Sequence, residues 1–282
     1  SGLSLNHVIG CPLDCAYCVR HLFDNYEMKT PRALMSDEEA VSTLVGHRYF
    51  QPHVTPVQVF NRATDPMLPA VKPHTFDVLR LLDERELSNH VSVITRWRVE
   101  PEDCEVLNSY RHIRVTLLVT YSGISDEQTE PVDSQIAARS LATAYAHSGR
   151  CRVVLYWRPI VPGLNDSDVD LSRAREMAEL AHATVFTGLF FRQAIRDYYR
   201  SVGLAEPYET TARRKVFPVL AAFRRDDGTY GPLFRKTSCA VCHAHGRPDY
   251  NGHYGIRELC DICPVAQLGC AWLPGVGRHR PG

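Results

Sequence analysis

Up to residue 191 the sequence alternates short, nearly continuous apolar runs with amphipathic stretches. The apolar runs are Leu3–Ile9, Pro56–Phe60, Val91–Thr95, Ile113–Thr120, Arg152–Ile160 and Thr184–Phe191. Between them, Ser36–His47, His74–Glu84, Pro101–Ser109, Ser134–His147 and Ser167–Ala181 carry helical spacing, and the first of these opens on a Ser-Asp-Glu-Glu capping pattern. Strands apolar on both faces and separated by helices predict a parallel sheet with covered faces. Six such units fit an α/β fold, a partial (β/α)6 barrel. In barrels of this kind the chemistry sits at the C-terminal ends of the strands. The pattern changes after Phe191. Ala194–Tyr199 and Glu209–Phe223 have helical spacing, and a loop-rich tail follows.

The ten cysteines are clustered. Cys11, Cys15 and Cys18 follow the first strand; Cys239, Cys242, Cys260, Cys263 and Cys270 crowd the tail. Clustered cysteines in a sequence with no evident signal segment read as metal or iron–sulfur ligands in a reducing compartment, so a cytoplasmic location is expected. Cys104 and Cys151 stand alone in apolar surroundings and read as small core residues. In Cys11-Pro-Leu-Asp-Cys15-Ala-Tyr-Cys18 the thiolates suit three corners of a cubane and leave one iron open. The competing reading is a zinc knuckle with His21 or His7 as fourth ligand.

This motif, in the loop after the first strand of a β/α barrel, resembles the radical S-adenosylmethionine superfamily. The resemblance implies a [4Fe–4S] cluster on Cys11, Cys15 and Cys18, with S-adenosylmethionine chelating its open iron. It implies Tyr17 near the adenine, although a core aromatic is the plainer reading. In place of the family's Gly-Gly-Glu, the chain has Asn61-Arg62-Ala63-Thr64-Asp65-Pro66, which looks like the spore photoproduct lyase branch. Thr64 and Asp65 are then candidates for the methionine ammonium, and Thr95 and Arg96 for the ribose and carboxylate. Arg158, at the end of the fifth strand, completes the expected cofactor contacts.

In the tail, Cys242, Gly255 and Cys260 form a Cys-x12-Gly-x4-Cys pattern. It resembles the SPASM or twitch element, which implies a second [4Fe–4S] cluster on Cys242, Cys260, Cys263 and Cys270. A structural zinc site with four thiolate ligands fits the same spacing. The expected division is a partial barrel over 1–192, a helical connection over 193–235 and a small, loop-rich auxiliary-cluster domain over 236–282. Cys239 is left over as a candidate hydrogen-atom donor facing the barrel mouth, unless it and Cys242 exchange roles. His243 and His245, alternating with Ala, are expected as exposed residues of a hairpin.

The resemblance extends to sugar and aminoglycoside epimerases of antibiotic pathways, because a spare thiol suits quenching of a substrate radical. A polycationic substrate calls for acids at the barrel mouth; Asp249, Glu130 and Asp126 are candidates. A flavodoxin or ferredoxin is the expected electron donor. The alternatives are a peptide epimerase or dehydrogenase, a DNA-lesion lyase and a non-enzymatic zinc-binding module. Lys+Arg and Asp+Glu balance at 32 each, which weighs against nucleic acid held mainly through phosphates. No apolar run reaches transmembrane length, so no membrane partner is expected.

Overall fold

The computed structural model describes residues 2–209, 211 and 231–247. Cys260, Cys263, Cys270, Asp249 and the predicted helix Glu209–Phe223 lie wholly or almost wholly outside them. The main sheet has seven strands: β1 (Leu3–Leu5), β4 (Val57–Val59), β5 (His90–Thr95), β6 (Arg114–Tyr121), β7 (Arg152–Ile160), β8 (Ala183–Gly188) and β9 (Leu233–Phe234), in that spatial order. All neighbours pair in parallel. The fold is the expected α/β partial barrel, with two departures.

First, the predicted strand Leu3–Ile9 is broken. After β1 the chain turns, and β2 (Val8–Ile9) pairs antiparallel with β3 (Arg32–Ala33) in a separate ribbon. His7 at the break is buried and its ring nitrogen meets Asp37. Second, Leu233–Phe234 belongs to the expected connection yet forms β9, an edge strand buried beside β8.

Helices α1 (Asp37–Val45), α2 (Lys72–Asp83), α3 (Pro101–Ser109), α4 (Ser134–Ala146), α5 (Asp168–Ala178) and α6 (Gln193–Ser201) follow the strands. Ser36 caps α1, accepting from the Glu39 amide at 3.2 Å, and Ser167 with Asp170 forms a capping box on α5. Successive residues of a strand face opposite sides. Val91 and Val93 of β5, Leu117 and Val119 of β6, and Leu155 and Trp157 of β7 pack with Leu79, Leu82, Leu107 and Leu141 of the helices. Cys104 and Cys151 are buried in this layer, as small core residues.

The other face of the sheet is covered differently. Leu118, Val154, Tyr156, Ala183 and Val185 pack against Ala240 and Val241 of a last helix, α7 (Thr237–Ala244). The expected hairpin is therefore a helix lying on the inner face, because its small apolar residues fill a concave wall. His243 and His245 are half-buried rather than exposed. His243 packs on Phe234, with ring centroids 5.3 Å apart, and His245 Nε2 lies 3.0 Å from Thr116 Oγ1. Among the described residues no helix is long and apolar enough to cross a membrane.

Candidate active site

The strands' C-terminal ends open into a cavity of about 300 Å³. Gln58, Thr95, Thr120, Tyr156, Arg158 and Thr187 line it from the sheet, and Cys11, Cys15 and Cys18 from the loop after β2. Backbone bonds pin that loop: Cys11 N donates to Met28 O at 2.9 Å and Ala16 N to Thr129 O at 3.0 Å. Gly10 enters it at φ +105°, where a Cβ would stand 2.2 Å from the Thr30 carbonyl oxygen, so only glycine fits.

Arg20, buried just past the last cysteine, organises the loop. Its guanidinium donates to the carbonyls of Cys11 at 3.0 Å, Tyr26 at 3.0 Å and Met28 at 2.5 Å, and also to Asn25. Burial pushes the Cys11 thiol above its ordinary value and the Cys15 thiol up to about 12. The three cysteines line one wall of the cavity, and thiolate is the ligand type that soft metals and iron–sulfur clusters take. The zinc-knuckle histidines are engaged elsewhere: His21 Nε2 faces Ala16 O at 3.0 Å, and His7 Nε2 faces Asp37.

Asp65 is buried at the end of the β4 loop. Thr95 Oγ1 donates to its Oδ1 at 2.6 Å, Met67 N to the same oxygen at 2.9 Å, and Arg96 N to Oδ2 at 2.8 Å. Three of a carboxylate's roughly four acceptor positions are thus taken from within the chain. Asp65 joins the end of β4 to the end of β5, and Thr95, which also accepts from Trp97 N at 2.9 Å, is part of that joint. Thr64 is different. Its buried hydroxyl has no hydrogen-bond partner, and neither has Asn61 Oδ1. Both residues line the cavity beside the thiols. Buried oxygens without a partner are uncommon, and at the cavity wall a water or a ligand's donor group would satisfy them. The donor set and these two atoms fit a cluster with S-adenosylmethionine.

Tyr17 and Arg96 meet a residue that the sequence suggested only as a substrate ligand. Arg96 Nη1 donates to Glu130 Oε1 and to the Tyr17 hydroxyl, both at 2.7 Å, while that hydroxyl donates to Glu130 Oε2. Burial pushes the Tyr17 phenol upward, so it remains a donor. Glu130 is therefore committed inside the protein and unavailable to a cationic substrate. Asp126 accepts from Thr129 Oγ1 at 2.5 Å. Asp14, on the wall, pairs with Lys29 at 2.5 Å. Arg62 and Arg158 have no ion pair among the described residues; Arg158 donates to the Tyr156 hydroxyl at 2.8 Å. The lining accordingly has cations to spare and no uncommitted acid among the described residues.

Thr237, at the start of α7, lines the cavity, and its Oγ1 lies 3.4 Å from the Tyr156 hydroxyl. Cys239 is two residues further along, half-buried against the inner-face cluster and outside the cavity lining. Cys242 is buried one turn beyond. Asn61 stands in the same Asn61–Pro66 segment as Thr64, and its polar side chain directly after an apolar strand is the sequence signal for it. Glu130 and Arg20 had no local signal, since their partners come from the tertiary fold.

The backbone has solved counterparts. Streptococcus suis SuiB bound to S-adenosylmethionine matches with a TM-score of 0.50 at 10% identity, over 72% of this chain and 46% of that one. A spore photoproduct lyase variant with bound S-adenosylmethionine and dinucleoside spore photoproduct matches with a TM-score of 0.53 at 9% identity, over 74% of this chain and 61% of that one. The fold is that of SuiB and spore photoproduct lyase. The chain spans less than half of the SuiB length and about 61% of the lyase. No family model matches the sequence, and no curated protein matches it.

Proposed function

We propose that this chain is a radical S-adenosylmethionine enzyme acting on a neutral or anionic substrate. The observation that carries the reading is three thiols, those of Cys11 and Cys15 buried and that of Cys18 half-buried, opening with the orphaned oxygens of Thr64 and Asn61 onto one cavity at the C-terminal ends of the strands. When bound, a reduced [4Fe–4S] cluster with S-adenosylmethionine supplies a 5′-deoxyadenosyl radical able to take a hydrogen atom from an unactivated carbon. Cys11, Cys15 and Cys18 would hold the cluster. Thr64, Asn61 and the last acceptor position of Asp65 would take the methionine ammonium, and Arg96, braced by Glu130, its carboxylate. Tyr17, Thr95 and Arg158 shape the remaining wall.

The finer reading is an epimerase. A sugar is the substrate class, and Arg62 and Arg158, which have no ion pair among the described residues, favour one without several positive charges. Cys239, two residues from the wall at Thr237, would donate a hydrogen atom to the substrate radical on the face opposite abstraction. Its thiyl would then be returned to thiol by an electron from a flavodoxin or ferredoxin and a proton. The second cluster, on Cys242, Cys260, Cys263 and Cys270, belongs to this proposal. The same two arginines favour, as a second reading, a lesion in nucleic acid, whose phosphates would pair with them.

Anaerobically reconstituted protein is incubated with reductant, S-adenosylmethionine and candidate sugars in heavy water. Two cubanes require about eight irons. The epimerase reading expects 5′-deoxyadenosine and one deuterium at an inverted carbon. Cys239→Ala should keep its iron and still form 5′-deoxyadenosine, without inverted product. A product lighter by two hydrogens makes the enzyme a dehydrogenase. Absence of 5′-deoxyadenosine with sugars, and its formation with a lesion-bearing oligonucleotide, replaces the sugar by nucleic acid. Iron-free protein with about two zincs overturns the enzyme reading.

A further inference from the structure

Three metal-binding side chains converge at a place the cavity does not include. His7 lies between β1 and β2, Asp37 is the first residue of α1, and His74 stands in the first turn of α2. His7 Nε2 lies 2.5 Å from Asp37 Oδ1, and His74 Nδ1 lies 3.1 Å and 3.0 Å from Asp37 Oδ1 and Oδ2. One ligand atom from each residue falls within 4.8 Å of the others. None of the three lines the cavity.

Two imidazoles and a carboxylate are a donor set for zinc and its first-row neighbours rather than for magnesium or calcium. Metal–ligand bonds of about 2.0–2.2 Å place neighbouring ligand atoms roughly 3–3.5 Å apart, so the His74–Asp37 separations already suit an ion. The His7 contact needs to open by less than about 1 Å. Side-chain exposure runs from 2% at His7 through 11% at Asp37 to 34% at His74. The group is closed on the protein side and open to water past His74, which leaves room for a fourth ligand. On its far edge, His7 Nδ1 is buried without a partner. The Asp37 carboxylate favours the Nε2–H tautomer of His7, so an ion binding at Nε2 displaces that proton, to water or to the unpartnered Nδ1. The ring itself is held by Phe60, with centroids 5.2 Å apart.

We propose that His7, Asp37 and His74 form a structural site for a divalent transition-metal ion, zinc by its donor set, separate from the cysteine ligands. It would tie the β1–β2 break, α1 and α2 together four residues before Cys11, and so brace the cysteine loop from behind.

The test uses the full chain with its cysteines filled by anaerobic reconstitution, titrated with Co2+ as a paramagnetic stand-in for zinc. Resting [4Fe–4S] clusters are diamagnetic, so the cobalt signal is read alone. One high-spin Co2+ per chain is expected, with imidazole nitrogen couplings and displacement by Zn2+. His74→Ala, at a partly exposed position, should keep its iron and circular dichroism. It should weaken Co2+ binding by more than the roughly tenfold that loss of even an outer-shell partner costs, and Asp37→Asn should do the same. If wild-type protein binds no such ion, the three residues are only a hydrogen-bonded group and the proposal fails. It fails equally if both variants bind Co2+ as the wild type does.

Discussion

Arg96 Nη1 stands 2.7 Å from Glu130 Oε1, and the two side chains are only 14% and 3% exposed. Arg96 follows the end of β5, Glu130 stands in the loop between β6 and α4, and Tyr17 of the cysteine loop shares both. One buried ion pair thus fixes the loop to the sheet and holds Arg96 against the cavity wall. Removing one partner from such a pair leaves an uncompensated buried charge.

Glu130→Ala should therefore destabilise the protein by about 3–5 kcal/mol, read by urea denaturation. S-adenosylmethionine affinity should fall with it. Glu130→Gln, which keeps an acceptor, should recover part of both. Unchanged stability in Glu130→Ala would show that the pair does not form.

Thr64→Val tests the orphaned hydroxyl, because stability and binding should move in opposite directions. Replacing an unpaired buried hydroxyl by a methyl should leave the ligand-free protein as stable or more stable, by up to about 2 kcal/mol. If that hydroxyl binds the cofactor, S-adenosylmethionine affinity should drop about five- to thirtyfold in equilibrium dialysis. Equal affinity would remove Thr64 from the site.

Arg20→Lys should behave as a poor substitute. A single ammonium cannot reproduce a fork that reaches the carbonyls of Cys11, Tyr26 and Met28 together. A loss of at least about 2 kcal/mol is expected, with lower iron retention after desalting. A variant that keeps its iron and its denaturation midpoint would place the loop's rigidity elsewhere.

Acid should weaken the inner face. Burial lowers His90 to about 4 and His245 to about 3, with repulsion between the two also lowering His245. Between those values and the ordinary 6.5, the unfolded chain binds more protons than the folded one, so stability falls as pH falls through this window. Each histidine contributes up to about 1.4 kcal/mol per pH unit. Denaturation midpoints from about pH 7 to about pH 5 should show this slope, and His245→Gln should flatten it. A slope unchanged in His245→Gln would mean that position 245 is solvated.

The sequence by itself determined the parallel sheet and the cysteine loop. Both signals are local: continuous β-branched runs have to be buried on both faces, and three thiols within eight residues sit on one short loop. It also marked Thr64 and Asp65 as one polar motif, since they adjoin on one strand-end loop. Tertiary structure decided what those residues do. Asp65 is largely occupied by Thr95 and Arg96, thirty residues away, whereas Thr64 is left without a partner. Glu130 became a brace for Arg96 rather than a substrate contact because burial forces a charge to find a partner. The expected hairpin at His243 and His245 became α7 for a similar reason. Ala240 and Val241 gain more by covering the inner face of β7 and β8 than a solvated turn could provide, and that wall exists only once the sheet has curved.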